Sequence, residues 1–266
     1  MTQAGYKGLK GKVCVVTGAA QGIGRGIATR LAQEGCSVIF ADLKTADVES
    51  AAEAARAAGG RAASFTVDVT ERSSVAGLVQ YAAETFGALD VMFNNAGITH
   101  GCDFLDLHER DFDRVMRVNG LGVLFGIQEA AKQMISQGTG GKIVNTNSQA
   151  GKTAWPDYAG YCASKFVVSS LTQSGARALA KHRITVNSFA PGLARTPIWE
   201  VLEADAMAAG QIHERGEMVK EFEKGILLGR GQEPGEFGGI ACYLASEDSD
   251  WITGQTIMID GGMVFL

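Results

Sequence analysis

Short apolar, β-branched runs alternate with segments of helical periodicity along nearly the whole chain, and that alternation leaves few folds open. "KVCVVTG" (12–18) is a continuous apolar run that stops at glycine, the pattern of a strand buried on both faces. After it Ile23, Ile27 and Leu31 recur every four residues, as on one face of an amphipathic helix. "SVIFAD" (37–42) reads as a second strand, "VESAAEAARAAGG" (48–60) as a helix ended by glycines, and "ASFTVDV" (63–69) as a third strand. Val75, Leu78, Val79 and Ala82 mark the next helix, and "LDVMFNNAG" (89–97) a fourth strand. The order continues with a helix over about 109–137, strand "KIVNTNS" (142–148), a helix carrying "YCASK" (161–165) and strand "ITVNSFA" (184–190). A polar segment near 193–230, a helix around 236–245 and strand "TIMID" (256–260) complete it. Strands separated by helices are joined by right-handed crossovers, which produce a parallel sheet covered on both faces. The expected architecture is α/β: one doubly wound domain over residues 1–266, with about seven strands.

Composition narrows the function. With 266 residues, 46% apolar and 20% charged, the chain can bury a large core. Thirty-five glycines against four prolines point to many tight reversals rather than to a disordered chain. The net charge of −5, with no basic cluster, makes nucleic acid and acidic membrane surfaces poor partners. Five scattered cysteines without a CxxC read as reduced thiols, and Cys162 as a small helix residue. His100, His108, His182 and His213 show no paired spacing, so no metal is expected. The start lacks the apolar stretch of a signal peptide, and no run approaches the ~18 apolar residues of a membrane span. A cytoplasmic location is expected.

Doubly wound sheets bind ligands outside the carboxyl ends of their strands, so chemistry is sought there. The first strand ends in "TGAAQGIG", with Gly18, Gly22 and Gly24. Such a turn aims helix N–H groups at a phosphate, although glycine turns also join strand to helix with no ligand. The spacing is Gly-x-x-x-Gly-x-Gly, not the Gly-x-Gly-x-x-Gly of many dinucleotide folds. Asp42 ends the second strand, where a carboxylate can accept from both adenosine ribose hydroxyls and repel a 2′-phosphate; a helix cap or a solvated acid is the alternative. Asp68 in "VDVT" can accept from the adenine amino group, and Asn94–Gly97 ("NNAG") supply amides that hold loops together. In "GYCASKF" (160–166), Tyr161 and Lys165 stand one helical turn apart on one face. A surface pair of common residues explains that spacing equally well.

Taken together, "TGAAQGIG", "NNAG", Ser148, "YCASK", Pro191-Gly192 and "DGG" (260–262) resemble the short-chain dehydrogenase/reductase family, over about residues 11–263. The resemblance implies a Rossmann-type fold and a catalytic set of Asn119, Ser148, Tyr161 and Lys165. It implies NAD as cofactor, with contacts at Gly18, Gln21, Gly22, Ile23, Gly24, Asp42, Leu43, Asp68, Val69, Asn95, Tyr161, Lys165 and Thr196. It also implies a homotetramer, in which the helices around 109–137 and 157–181 pair across a two-fold axis. The C-terminal region, with its apolar "MVFL" tail (263–266), would form a second contact.

The chemistry of the residues agrees. Oxidising a secondary alcohol needs a base for the hydroxyl proton, and tyrosine, with a reference pKa near 10, is about 4 kcal/mol from neutrality. An ammonium about 4 Å away contributes about 4 kcal/mol at an effective dielectric near 20, so Lys165 is expected to lower the Tyr161 pKa. Ser148 can donate to the substrate oxygen as charge develops. Asn119, in "RVNGLG", is a poor helix residue beside glycine; a local break there could hold a water relaying protons from Lys165, and a plain kink explains the same letters.

Two segments should enclose the substrate: Gln149–Gly160, and a lid over about 193–230 anchored by Trp199. Ser148, Gln149, Lys152, Asp157, Tyr161 and Trp199 suggest a small hydroxylated substrate, though the polar side chains among them suit solvent as well. "SQAG", "KHRITVN" and "TPIW" are similar to polyol (sorbitol-type) and acetoin/butanediol dehydrogenases. An NAD-dependent polyol or vicinal-diol dehydrogenase is the first reading. The others are a 3-oxoacyl-carrier-protein reductase, disfavoured by Asp42, and a non-catalytic dinucleotide sensor, disfavoured by the intact catalytic set.

Overall fold

The structure, a computed structural model, describes residues 5–208 and 210–265. The end of the apolar tail, Leu266, lies outside them. Inside a seven-stranded sheet lies β1 (Val13–Thr17), buried along its whole length. It pairs in parallel with β2 (Ser37–Asp42) on one side and β4 (Val91–Asn94) on the other. The full order is β3-β2-β1-β4-β5-β6-β7, with β3 (Arg61–Thr66), β5 (Gly141–Thr146), β6 (Ile184–Pro191) and β7 (Thr256–Ile259), and every pairing is parallel.

Alternating side chains divide the core into two layers. Val16, Phe40, Phe93 and Phe189 face one layer with Ile27 and Leu31 of α1 (Gly22–Gln33), Val48 of α2 (Thr45–Ala57) and Leu244 of α9 (Gly238–Ala245). Val15, Ile39, Met92 and Ile143 face the other, against Leu78 of α3 (Arg72–Phe86), Met134 of α5 (Gly122–Gln137) and Val168 of α6 (Ala159–Leu179).

Several expected boundaries shift for identifiable reasons. The third strand ends at Thr66 rather than at residue 69, because the Asp68 carboxylate turns to accept from the N–H and hydroxyl of Thr70. The helix expected over 109–137 is two, α4 (Glu109–Met116) and α5, joined by a π-helical turn at Arg117–Leu121. The polar segment at 193–230 holds α7 (Ile198–Ala208) and α8 (Glu217–Glu223). Its ends are pinned together, since Arg195 N–H donates to the Gln232 carbonyl (2.8 Å) and Gln232 N–H to that of Leu193 (2.8 Å). Among the described residues no helix is long and apolar enough to cross a membrane.

Successive strands from β1 wind to β3 on one side and from β4 to β7 on the other, so the winding reverses between β1 and β4. Beside that reversal a buried polar chain links sheet and helix. Asn94 donates to Asn145 (2.9 Å), Asn145 to the Thr172 hydroxyl (3.0 Å) and Thr172 to the Val168 carbonyl (2.8 Å). Asn145→Ala strands buried partners on both sides, and should lower the free energy of unfolding in urea by about 1–3 kcal/mol. Removing the exposed Gln80–Glu84 contact by Gln80→Ala should stay within about 0.5 kcal/mol. Equal effects of the two substitutions would show that the chain is dispensable.

Candidate active site

The glycine turn is shaped by close approach. Gly18 has φ +69°, and a Cβ on it would stand 2.9 Å from the Ala96 Cα, so the backbone after β4 lies against the turn. Asn95 fixes that contact: its N–H donates to the Thr17 hydroxyl (3.0 Å), its Nδ2 to the Thr17 carbonyl (2.9 Å), and its Oδ1 accepts from Thr146 (3.1 Å). Gly22, at φ +56°, opens α1, and a Cβ there would meet Thr196 Cγ2 at 3.3 Å. Expected contacts on either side of the turn are thereby brought together. Gln21 is exposed in the turn, while Ile23 packs inward on the core.

Asp42 is half-buried beside the turn, and its carboxylate accepts from the N–H groups of Ala20 (3.1 Å) and Lys44 (3.3 Å). Two bonds leave carboxylate lone pairs available for ribose hydroxyls. Leu43 beside it is exposed. Glycine cradle, helix N-terminus and carboxylate together fit a dinucleotide. Asp68 has turned partly to Thr70, and Val69 packs against Gly122.

The small residues of "YCASK" let α6 lie close to the end of β5. Lys165, 5% exposed, donates from Nζ to the Thr146 carbonyl (2.9 Å) and lies 5.6 Å from the centre of the Tyr161 ring. Burial pushes the Tyr161 phenol up to about 12, with a hydrogen bond to Ser148 pulling the other way, and burial draws Lys165 down to about 8. The expected lowering of the tyrosine by its neighbour is therefore not what the chain alone produces. Desolvation drives both groups towards their neutral forms.

Ser148, buried, follows β5 and caps a 3-10 turn at Gln149–Gly151, its Oγ accepting from the Ala150 N–H (3.1 Å). With a lone pair so engaged, its O–H is the part that serves the Tyr161 oxygen, and a ligand oxygen bound beside the phenol would compete for it. Asn119 sits in the π-helical turn with its side chain fully used: Oδ1 accepts from Ile98 N–H (2.9 Å), and Nδ2 donates to the Ile98 carbonyl (2.9 Å) and to Ser164 (2.9 Å). The expected break exists, but its side chain ties loop to helix and has no polar atom left for a relay water. A Cβ on Gly97 would lie 3.2 Å from Asn119 Oδ1 and 3.8 Å from Lys165 Nζ, so this glycine occupies the gap between them.

The outer residues divide. Gln149 is buried, and its Oε1 lacks any hydrogen-bond partner. Asp157 and Lys152 are exposed, although the Asp157 carbonyl accepts from Cys102 N–H (3.0 Å) and so joins the loop after β4 to this wall. Trp199 turns inward on its own lid: its indole N–H donates to the Ala194 carbonyl (2.8 Å) and its ring packs edge-on to Phe222 at 5.2 Å. It ties α7 to α8 within the 193–230 segment, and its polar atom is not presented to a ligand. Sequence reasoning missed Thr146, Asn147, Ser164 and Ser169, whose small polar side chains give no pattern until strand and helix are side by side.

Comparison with known proteins agrees with this geometry. The family model described as enoyl-(acyl carrier protein) reductase matches residues 18–264. The chain belongs to the short-chain dehydrogenase/reductase family, and is an oxidoreductase. It is 39% identical over 254 residues to a diacetyl reductase [(S)-acetoin forming] of Staphylococcus epidermidis, covering 96% of this chain and 99% of that one. It is also 39% identical over 254 residues to a galactitol 2-dehydrogenase of Agrobacterium fabrum, covering 96% and 98%. A crystal structure of a short-chain type dehydrogenase/reductase from Mycobacterium marinum superposes with a TM-score of 0.87 at 35% identity, covering 97% of each chain.

Proposed function

We propose that the protein interconverts a small vicinal diol or polyol and its ketone, using NAD. The observation that carries this reading is the half-buried Tyr161 beside the buried Lys165 and Ser148, at the strand ends where the sheet reverses. NAD⁺, when bound, supplies the hydride acceptor and a positive ring. Tyr161 takes the hydroxyl proton of the substrate, and Ser148 donates to the oxygen on which charge develops. Lys165 keeps two of its three N–H donors for the nicotinamide ribose, the third being on Thr146. Asn119 fixes the Ile98 backbone and Ser164, and so holds the floor of the site.

A second hydroxyl on the substrate is supported by the unpartnered Gln149 Oε1, which can accept from it, and a second oxygen of either kind by relatives named for diacetyl and galactitol. The family model's description as an acyl carrier protein reductase favours a second reading, a carrier-bound acyl substrate. Against it stand Asp42 and a turn, Gly-Ala-Ala-Gln-Gly, with no basic residue for a 2′-phosphate. A panel of diols, polyols, hydroxy acids and 3-hydroxyacyl thioesters, followed by NADH formation, decides between them. Turnover of thioesters alone would overturn the diol reading.

Exposed apolar side chains support assembly into a homotetramer. Phe112, Leu121 and Phe166 lie on the α4–α6 face, and Leu227, Leu228, Trp251 and Phe265 lie near the C-terminal end. Light scattering at micromolar concentration should give four times the chain mass of 28.0 kDa, and a monomer would refute this assembly.

The pKa directions give the pH dependence. Oxidation needs the Tyr161–Lys165 pair to have lost one proton, whichever residue released it, and that proton leaves first from Lys165, near pH 8. Oxidation kcat/KM should therefore rise with pH through about 8 and level above it, while ketone reduction falls over the same interval. Tyr161→Phe should abolish both while leaving NADH binding nearly intact. A profile flat from about pH 6 to 9 would contradict the pairing.

Asp42 sets the cofactor. Charge-assisted hydrogen bonds of roughly 1.5–3 kcal/mol imply at least about a tenfold preference for NAD⁺ over NADP⁺ in kcat/KM. Asp42→Ala should reduce that ratio chiefly through KM for NAD⁺, because the contact is made equally in ground and transition states. Equal use of both cofactors by the parent enzyme would overturn the assignment.

A further inference from the structure

Ser148 can donate to substrate only while its hydroxyl is held in one orientation, and that orientation depends on the 3-10 turn at Gln149–Gly151 whose Ala150 N–H it accepts. This turn is short and has no helix of its own to stiffen it. It is held instead by a closed ring of hydrogen bonds running through two side chains outside the catalytic set. The Ser148 N–H donates to Asn147 Oδ1 (2.9 Å), and Asn147 Nδ2 donates to the Ser169 Oγ (2.8 Å). The Ser169 hydroxyl donates to the Gly151 carbonyl (3.1 Å), and the Gly151 N–H returns to the Ser148 carbonyl (2.9 Å).

The placement of the ring is as informative as its closure. Ser169 lies one helical turn beyond Lys165 on α6, and Asn147, 2% exposed, follows Thr146, the residue whose carbonyl holds Lys165. One side of β5's end is thus fastened to α6 by Lys165 and the other by Ser169. At Gly151 a Cβ would stand 2.7 Å from the Lys165 carbonyl, so turn and helix are in backbone contact. The Ser169 hydroxyl also has the Lys165 carbonyl at 3.4 Å, a longer alternative within its own helix.

We propose that Asn147 and Ser169 are positioning residues that aim the Ser148 hydroxyl at the substrate oxygen and keep it in register with Tyr161 and Lys165. The proposal rests on Ser148 being the substrate donor, and the experiment separates the two. Ser169→Ala opens the ring. Asn147→Asp keeps the shape but replaces the Nδ2 donor by an acceptor, which draws the Ser169 hydroxyl away from Gly151.

Each variant should lose about tenfold or more in kcat for the diol, with KM for NAD⁺ within about twofold and melting within a few degrees of the parent. Ser169→Thr, which keeps the hydroxyl, should recover most of the rate. In a Ser148→Ala background the same substitutions should change kcat less than about twofold, because nothing remains to be aimed. Losses that persist in full in that background, or variants within about threefold of the parent kcat, would overturn the proposal. If Ser148→Ala itself left kcat unchanged, the donor role of Ser148 would fail, and the positioning role with it.

Discussion

Lys165 rests on one backbone carbonyl, that of Thr146, in a setting that disfavours its charge, and much of the site is arranged around that contact. The bond ties the middle of α6 to the end of β5 and so determines where Tyr161, one turn earlier, meets Ser148. Gly97 lies closest to Asn119, whose Oδ1 a Cβ there would meet at 3.2 Å, with Lys165 Nζ in ordinary contact at 3.8 Å. Asn119 then holds the loop that Gly97 begins, through both polar groups of Ile98. Taking water from this pocket raises the cost of charge on both Tyr161 and Lys165, which keeps the phenol protonated and lets Lys165 give up its proton near pH 8. A poised rather than a permanently ionised base follows from that balance.

The turn at the other end of the site works by shape rather than charge. Gly18 and Gly22 adopt left-handed backbone and leave space that side chains would fill, while Asn95 fastens the turn to β4 and β5. Because Thr196 stands against Gly22 and lies between the pinned ends of the 193–230 segment and Trp199, the base of that segment is built onto the glycine turn.

The strand order was legible in the sequence because buried parallel strands are continuous apolar runs, and Val13–Thr17 or Ser37–Asp42 could hardly be anything else. Tyr161, Lys165, Gly18 and Asp42 were legible because their spacing lies within one turn or one strand end. What was hidden depends on pairing across distance. Asn147 and Ser169 are ordinary polar residues until α6 is laid on β5, and Trp199 reads as a ligand contact until its indole is seen to satisfy the Ala194 carbonyl. The sign of the tyrosine shift was hidden for a related reason. Spacing reports the neighbouring charge, whereas the solvent removed from around both groups is a property of the folded pocket.

The π-helical turn at Arg117–Leu121 carries one residue more than a regular helix needs to cover the same distance. Each residue rotates an α-helix by about 100°, so the surplus residue resets the direction in which everything after it faces. It lets Asn119 point into the site while α5 still presents Met134 and Ile127 to the sheet. The segment is therefore far more tolerant of exchange than of length. Losing any one residue there would regularise the helix and swing either the asparagine out of the pocket or the whole core face of α5 away from its strands. Natural variation in this stretch should appear as changes of letter, and never of number.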